Sequence, residues 1–444
     1  MTGRIASGSL FLEDFSRQGL SVHSLLIEKG GQLLLETYAE PWERDSLHRL
    51  YSVTKSVVSL AIGKLIGMGK LSLSDRIASY FPELLPDPLP PELDKLTIED
   101  MLKMETCHSV TTYKQGVNPR YIPSWKRNWL WTFFNTKPDH EPGTIFQYDT
   151  SSTHLLATLV ERLSGKDFVS FVRESICPLD ERTYITKDPE GHPCGGSGLM
   201  MTSPDLLRLG RIVLESDDWY VRRAVSRLVE TVTAPPVPDR DLECGYGYQF
   251  WRLSHNAYCM YGMGGQFLIM VPDEDAVIVT TANTMGEKDG SGKLLKLIWQ
   301  LLDEVKEPIM GTIRPLLSEG APIEREDSVS YCFPENRTAI SSMTFDFGKR
   351  RLSVTADGID YVFAYGFGKR EESPFPAERI DSAWTSASLL PDGTLSFVSE
   401  LIGEELGLIK LKARLYEDSV TIHTELFGEV RFRGFNGIAT GQRA

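Results

Sequence analysis

Residues 49–75 read RLYSVTKSVVSLAIGKLIGMGKLSLSD, and the stretch turns on Ser52 and Lys55 at the front of an apolar segment. Residues three apart on a helix share a face, with Cβ atoms about 5–6 Å apart, so these two side chains can meet. A serine hydroxyl is a poor nucleophile until a neighbouring base takes its proton. Lysine serves as that base only if its pKa falls. Burial among Val53, Val57 and Val58 pushes it down, and so does the positive end of the helix dipole. The same helix end offers the Ser52 backbone N–H to a developing oxyanion. The bland alternative is a helix start capped by Ser52 or Thr54, with Lys55 in solvent. The motif alone does not choose, because about one S-x-x-K is expected by chance in a chain this long.

The surrounding chain has 444 residues, 41% hydrophobic and 24% charged, which suits a soluble protein of about two or three domains. A formal net charge of -14 with no basic stripe argues against nucleic-acid and anionic-membrane partners. The run VVSLAIGKLIGMG is broken by Lys64 and too short to span a bilayer. The first residues, MTGRIASGSLFLEDFSRQG, lack a basic region leading into an apolar core and carry Glu13 and Asp14. No signal peptide is read, and a cytoplasmic protein is expected. Cys107, Cys177, Cys194, Cys244, Cys259 and Cys332 lie without C-x-x-C spacing, and the histidines show no H-E-x-x-H. Reduced, packed thiols are expected, and neither a metal nor a cofactor is implied.

Strand patterns open and close the first 307 residues. SVHSLLIEKGGQLLLETYAE predicts a hairpin through Gly30-Gly31, and YGYQFWRL, AYCMYGM, GQFLIMVP and DAVIVTTAN predict strands. Between them TIEDMLKM, STHLLATLVERLSG and SPDLLRLGRIVLES read as helices, the last with Ser203 as N-cap and Pro204 at the first helical position. SGKLLKLIWQLLDEVK adds a helix after the strands. The order predicts an α/β (α+β) domain over 1–307, in which both chain ends share one antiparallel sheet and the middle forms a helical lobe. From 308 to 444, apolar and polar residues alternate, with turns at Asp357-Gly358, Asp392-Gly393 and Glu417-Asp418. A small all-β, barrel-like domain is expected there, serving as a lid or an oligomer contact.

Two further stretches, with YSVTK, carry a resemblance. PGTIFQYDTSSTHLLATLVERLSG (142–165) sets a tyrosine in a loop before a helix, and YGMGGQFLIMVPDEDAVIVTTAN (261–283) sets a Gly-rich approach beside strands. In order and spacing the three resemble the motifs of the serine β-lactamase and penicillin-binding-protein superfamily, nearest to its class C-like serine hydrolases and esterases. CGGSGLMMTSPDLLRLG also looks like that family's Gly-rich loop leading into a helix. The likeness covers roughly residues 20 to 305.

The resemblance implies a β-lactamase-like fold and an acyl-enzyme on Ser52, with Lys55 taking or relaying the proton. Tyr148 would be the partner base that later protonates the leaving group. That role requires a cation near a phenol that ordinarily titrates at about 10. The Gln266 N–H would complete the oxyanion hole, and Gly264 and Gly265 would let the strand edge approach substrate. Two departures bear on the substrate: Thr150 stands where many members have asparagine, and Met263 where they have lysine or histidine. Methionine offers an apolar surface in place of a carboxylate-holding cation. A small neutral ester or amide is therefore expected, ahead of β-lactamase or D,D-peptidase activity. The alternative of another class is a ligand-binding or scaffold protein that kept the fold.

Other residues are read as structural. Trp125, Trp129, Trp131, Phe133 and Phe134 are expected in the core rather than along an acyl pocket, His108 and His154 as structural, and Asp149 as a helix cap.

Overall fold

A computed structural model describes residues 7–109, 128–230, 244–428 and 434–444. Trp125 lies outside them. The strands are β1 (Ser21–Lys29), β2 (Gln32–Tyr38), β3 (Leu47–Arg49), β4 (Tyr184–Ile185), β5 (Leu199–Thr202), β6 (Trp251–Arg252), β7 (Tyr258–Gly262), β8 (Gln266–Val271) and β9 (Ala276–Asn283). After them come β10 (Ser328–Cys332), β11 (Ile340–Asp346), β12 (Arg351–Ala356), β13 (Ile359–Ala364), β14 (Glu371–Ala377), β15 (Ile380–Leu389), β16 (Leu395–Gly403), β17 (Gly407–Leu415), β18 (Ser419–Gly428) and β19 (Gly437–Arg443).

The chain divides into two compact units. The first is built mainly of His23–Ala282 and Ser291–Ile313; the second takes Arg314–Ala444 together with Glu13–Val22 and Asn283–Gly290. The second unit thus takes two segments from earlier in the chain besides the stretch from Arg314 onward.

In the first unit the sheet order β2-β1-β9-β8-β7-β6 brings the N-terminal hairpin beside the returning strands. Strands β8 and β9 are buried along their whole length, which is why QFLIMV and AVIVTTAN read as continuous rather than alternating apolar runs. Against the sheet lies the helix Val53–Gly67, buried on nearly every side from Val53 to Ile62. Three β-branched valines in its first two turns are poor helix formers, so packing rather than propensity holds it. The helix Thr150–Ser164 packs along it; Asp149 accepts from the Ser151 N–H at its start, and Gly165 ends it at φ 73°. The helix at Ser203–Leu214 is capped by Thr202, which accepts from the Asp205 N–H. The expected cap at Ser203 is therefore displaced by one residue, because a threonine hydroxyl sits one position earlier.

The second unit is a ten-stranded antiparallel sheet, β13-β12-β11-β10-β19-β18-β17-β16-β15-β14, whose end strands β13 and β14 come together in a nearly closed barrel. Ser373 accepts from the Ala364 N–H at 2.7 Å across that seam. Tyr361, Phe363, Phe375, Phe397 and Phe435 fill the interior, so the barrel is packed rather than hollow. A buried ion pair ties a recruited segment to it: Arg370 meets Glu400 at 3.1 Å, and Ser21 donates to Glu400 at 2.5 Å. No helix among the described residues is long and apolar enough to cross a membrane.

Candidate active site

Ser52 sits at the N-cap position of its helix, yet its hydroxyl makes no capping hydrogen bond. That disposes of the cap reading for Ser52 and leaves the hydroxyl for other partners. Tyr51, just before it, is buried with φ at 46°, a region a bulky residue rarely adopts and one that costs about 1–3 kcal/mol. Strain of this kind is held only where the surroundings dictate it. The Leu50 N–H donates to the Leu199 carbonyl at 2.9 Å, and the Leu199 N–H donates to Thr54 Oγ1 at 3.1 Å. Arg49 Nε reaches the Ser197 carbonyl at 3.2 Å. The start of the Ser52 helix is thereby stitched to the loop Cys194–Gly198.

Lys55 is not in solvent. Its side chain is 1% exposed, with Nζ 2.8 Å from Ser52 Oγ and 2.6 Å from the Gly196 carbonyl. Gly196 is glycine for a steric reason: a Cβ there would lie 2.2 Å from Thr150 Cγ2 and 2.9 Å from the Thr150 carbonyl. Thr150, the first residue of its helix, thus packs on the loop that holds Lys55.

Tyr148 completes the group. Its hydroxyl lies near enough to Ser52 for that side chain to pull the phenol's pKa down, and Lys55 Nζ lies 4.8 Å from its ring centroid. Trp251 packs at 5.5 Å, backed by Tyr246 and Phe146. Part of the side chain stays open to solvent, but its surroundings are dense enough that burial raises the phenol well above its ordinary value. Ser52 opposes the rise and nearby Tyr261 adds to it. The lysine expected beside Tyr148 is present, but its amine faces the ring and the net direction of the phenol's shift is upward, so a tyrosinate is disfavoured. The structure brings Ser52, Lys55 and Tyr148 together, in surroundings that favour the neutral phenol over a phenolate.

The turn 263–265 bears on the expectation for Gln266. The Gly262–Gln266 pair closes it, and that closure commits the Gln266 N–H to the Gly262 carbonyl. The Gln266 side chain is fully buried; Nε2 donates to the carbonyls of Met263 (3.0 Å) and Ala282 (2.6 Å), while Oε1 accepts from the Ala282 N–H. Gln266 therefore holds the turn instead of presenting its N–H. Met263 lies in the turn itself, past the stretch of edge that β6 covers, which ends at Cys259. Gly264 and Gly265 take φ of 82° and 90°, which the tight turn demands. The edge also lies against the residues before Ser52, since a Cβ on Gly262 would come within 2.1 Å of the Leu50 carbonyl oxygen. Gly262→Ala is expected to cost about 1–3 kcal/mol by forcing two backbones apart. Thermal unfolding checks this, and a melting temperature equal to the parent's would show that the edge tolerates the displacement.

Residue-type reasoning missed Gln249 and the Gly196 carbonyl. Gln249, at φ 62° and buried, accepts from Ser56 Oγ on its carbonyl and from Thr153 Oγ1 on its amide, joining the two long helices. Among the aromatic stretch, Phe133 and Phe134 are fully buried, whereas Trp131 is half exposed. His154 bonds Asp188 at 2.9 Å inside the helical lobe, and His108 bonds the Thr136 carbonyl at 3.1 Å.

A family model described as Beta-lactamase matches residues 11–302. The 6-aminohexanoate-dimer hydrolase of Paenarthrobacter ureafaciens is 25% identical over 287 residues, 58% of this chain and 71% of that protein. The D-alanyl-D-alanine-carboxypeptidase/endopeptidase AmpH of Escherichia coli K12 is 26% identical over 245 residues, 48% of this chain and 63% of its own length. Among solved structures, the octameric penicillin-binding protein homologue from Pyrococcus abyssi superposes with a TM-score of 0.52 at 16% identity, over 90% of this chain and 97% of that one. Its coverage extends the likeness of fold beyond the first unit. A site built on S-x-x-K and a loop tyrosine, on this sheet and matched over this span, places the chain in the β-lactamase family of serine hydrolases and penicillin-binding proteins.

Proposed function

We propose that the protein forms an acyl-enzyme on Ser52 and hydrolyses a small neutral ester or amide. The observation that carries this is the buried Lys55 amine, 2.8 Å from the Ser52 hydroxyl and anchored on the Gly196 carbonyl. Burial disfavours the charged ammonium. A neutral amine in this geometry keeps one N–H on Gly196 and turns its lone pair to Ser52, ready to accept the hydroxyl proton. Ser52 Oγ then attacks the substrate carbonyl. The oxyanion gathers on the backbone N–H groups of Ser52 and Met263, so the donor role expected of Gln266 passes to Met263.

Tyr148, held as a neutral phenol, donates its proton to the departing alcohol or amine and is reprotonated from Lys55. Water attacks the acyl-enzyme along the same path reversed. The substrate class rests on Met263, which gives the turn an apolar side chain where a cation would otherwise hold a substrate carboxylate. The AmpH relative is named for peptidase activity and the Paenarthrobacter relative for hydrolysing an aminohexanoate dimer, both acyl transfers to water.

Turnover of short-chain p-nitrophenyl esters beside a chromogenic cephalosporin tests the proposal. Ester cleavage with weak or absent cephalosporin hydrolysis is expected; faster cephalosporin turnover would overturn the inference from Met263. Tyr148→Phe is expected to lower kcat about 10²–10⁴-fold, the usual worth of a placed general acid. Because the phenol is raised and stays protonated through the working range, the parent profile should show no alkaline decline from it up to about pH 10. A falling limb near pH 8 that disappears in Tyr148→Phe would contradict the neutral-phenol assignment.

A further inference from the structure

The first unit holds a second concave site. A cleft of about 660 Å³ is lined by Arg222, Arg227 and Arg252, with apolar walls from Val225, Leu253 and Tyr258, and its lining contains no carboxylate among the described residues. The arginines line it from separate places: the last turn of the helix Trp219–Ala224, the segment that follows it, and β6. A helix dipole accounts for a cation at Arg222. It does not account for the gathering of the other two.

Neighbouring arginines are treated differently. Arg223 bonds Glu99 at 2.8 Å, and Arg211 bonds Glu28 at 2.6 Å as well as Asp275. Arg252 instead donates to the Val225 carbonyl at 3.0 Å and to Asn256 Oδ1 at 3.0 Å. The nearby Asp273 is taken up by Asn256 Nδ2 at 3.0 Å. Burial holds the Arg252 guanidinium below its ordinary value, and the charge of Arg227 adds to the effect while Tyr258 opposes it. Arg227 and Arg252 oppose each other's charge in a chain of net charge -14, and an arriving anion relieves that opposition.

We propose that this cleft binds a small phosphate monoester, its phosphate on the three guanidinium groups and its apolar or aromatic body against Val225, Leu253 and Tyr258. Guanidinium forks match phosphate oxygens in pairs, and a dianion answers several of them at once. The cleft falls within the usual range of about 300–1,000 Å³ for small-molecule sites, far more than a bare phosphate fills. The apolar walls call for a carbon body.

Calorimetric titration of the full chain with phenyl phosphate, inorganic phosphate and phenol tests the assignment. Saturable binding of phenyl phosphate is expected at least about ten-fold tighter than inorganic phosphate, weakening with added salt, with none for phenol. The double variant Arg222→Ala/Arg227→Ala changes exposed side chains, so it should keep the parent melting temperature while losing about ten-fold or more in affinity. Ser52→Ala should bind phenyl phosphate as the parent does, which separates the cleft from the reacting serine. Absence of saturable binding, equal affinity for inorganic phosphate, undiminished binding in the double variant, or loss of binding in Ser52→Ala would each overturn it.

Discussion

Ser52→Ala is expected to abolish both covalent labelling by a fluorophosphonate and ester hydrolysis, with kcat/KM falling on the order of 10³-fold or more. The parent should take up one phosphonyl group, mapped to the peptide that contains Ser52. The fold should survive the change, because the Ser52 hydroxyl does not cap its helix and its named partners, Lys55 and Tyr148, belong to the same small group. Removing an oxygen from a crowded polar cluster often raises stability at the expense of activity, so the melting temperature should hold or rise. A folded parent that takes no label would favour the ligand-binding alternative. A Ser52→Ala variant that still hydrolyses esters would move the nucleophile elsewhere.

The part of this site that depends on side-chain spacing was legible in the sequence; the part that depends on backbone direction was not. Ser52 and Lys55 meet because helical geometry makes them meet, and Tyr148 stood in a loop before a helix whose Asp149 cap could be read from its type. The Gly196 carbonyl carries no residue-type signal, although the glycine-rich loop that supplies it was visible as a stretch. The Gln266 reading turns on backbone direction. In a strand, N–H direction alternates residue by residue, so choosing between 263 and 266 requires knowing which pair closes the turn. Gly262 pairs with Gln266, a register that no residue type announces.

The fold divides in the same way. Alternation and Asp-Gly turns revealed the barrel strands, and the apolar runs of β8 and β9 revealed strands, while their burial along the whole length is a property of the packing. Membership of Glu13–Val22 and Asn283–Gly290 in the second unit was hidden, because it rests on contacts across hundreds of residues. One of these is the bond from Ser21 to Glu400, and another is the 3.1 Å pair of Lys410 with Glu287. No local pattern records such pairs.

Lys55→Met carries the second large effect and tests the proton assignment directly. Methionine nearly matches lysine in length and fills the same buried space without a titratable group. Two stability terms then oppose each other. The cost of keeping an amine out of water disappears, while the Gly196 carbonyl loses its donor at a cost of about 1–3 kcal/mol. The sum should lie near zero, with a melting temperature within about 5 °C of the parent. Activity should not be spared: with no base beside Ser52, kcat should fall about 10²–10⁴-fold and fluorophosphonate labelling should slow in parallel. The contrast between a preserved fold and lost reactivity separates a proton acceptor from a packing element. If Lys55→Met kept activity within about ten-fold of the parent, the proton would have to pass to Tyr148. That phenol would then need to ionise against the burial that now raises it, and an alkaline shift of the pH optimum would reveal it.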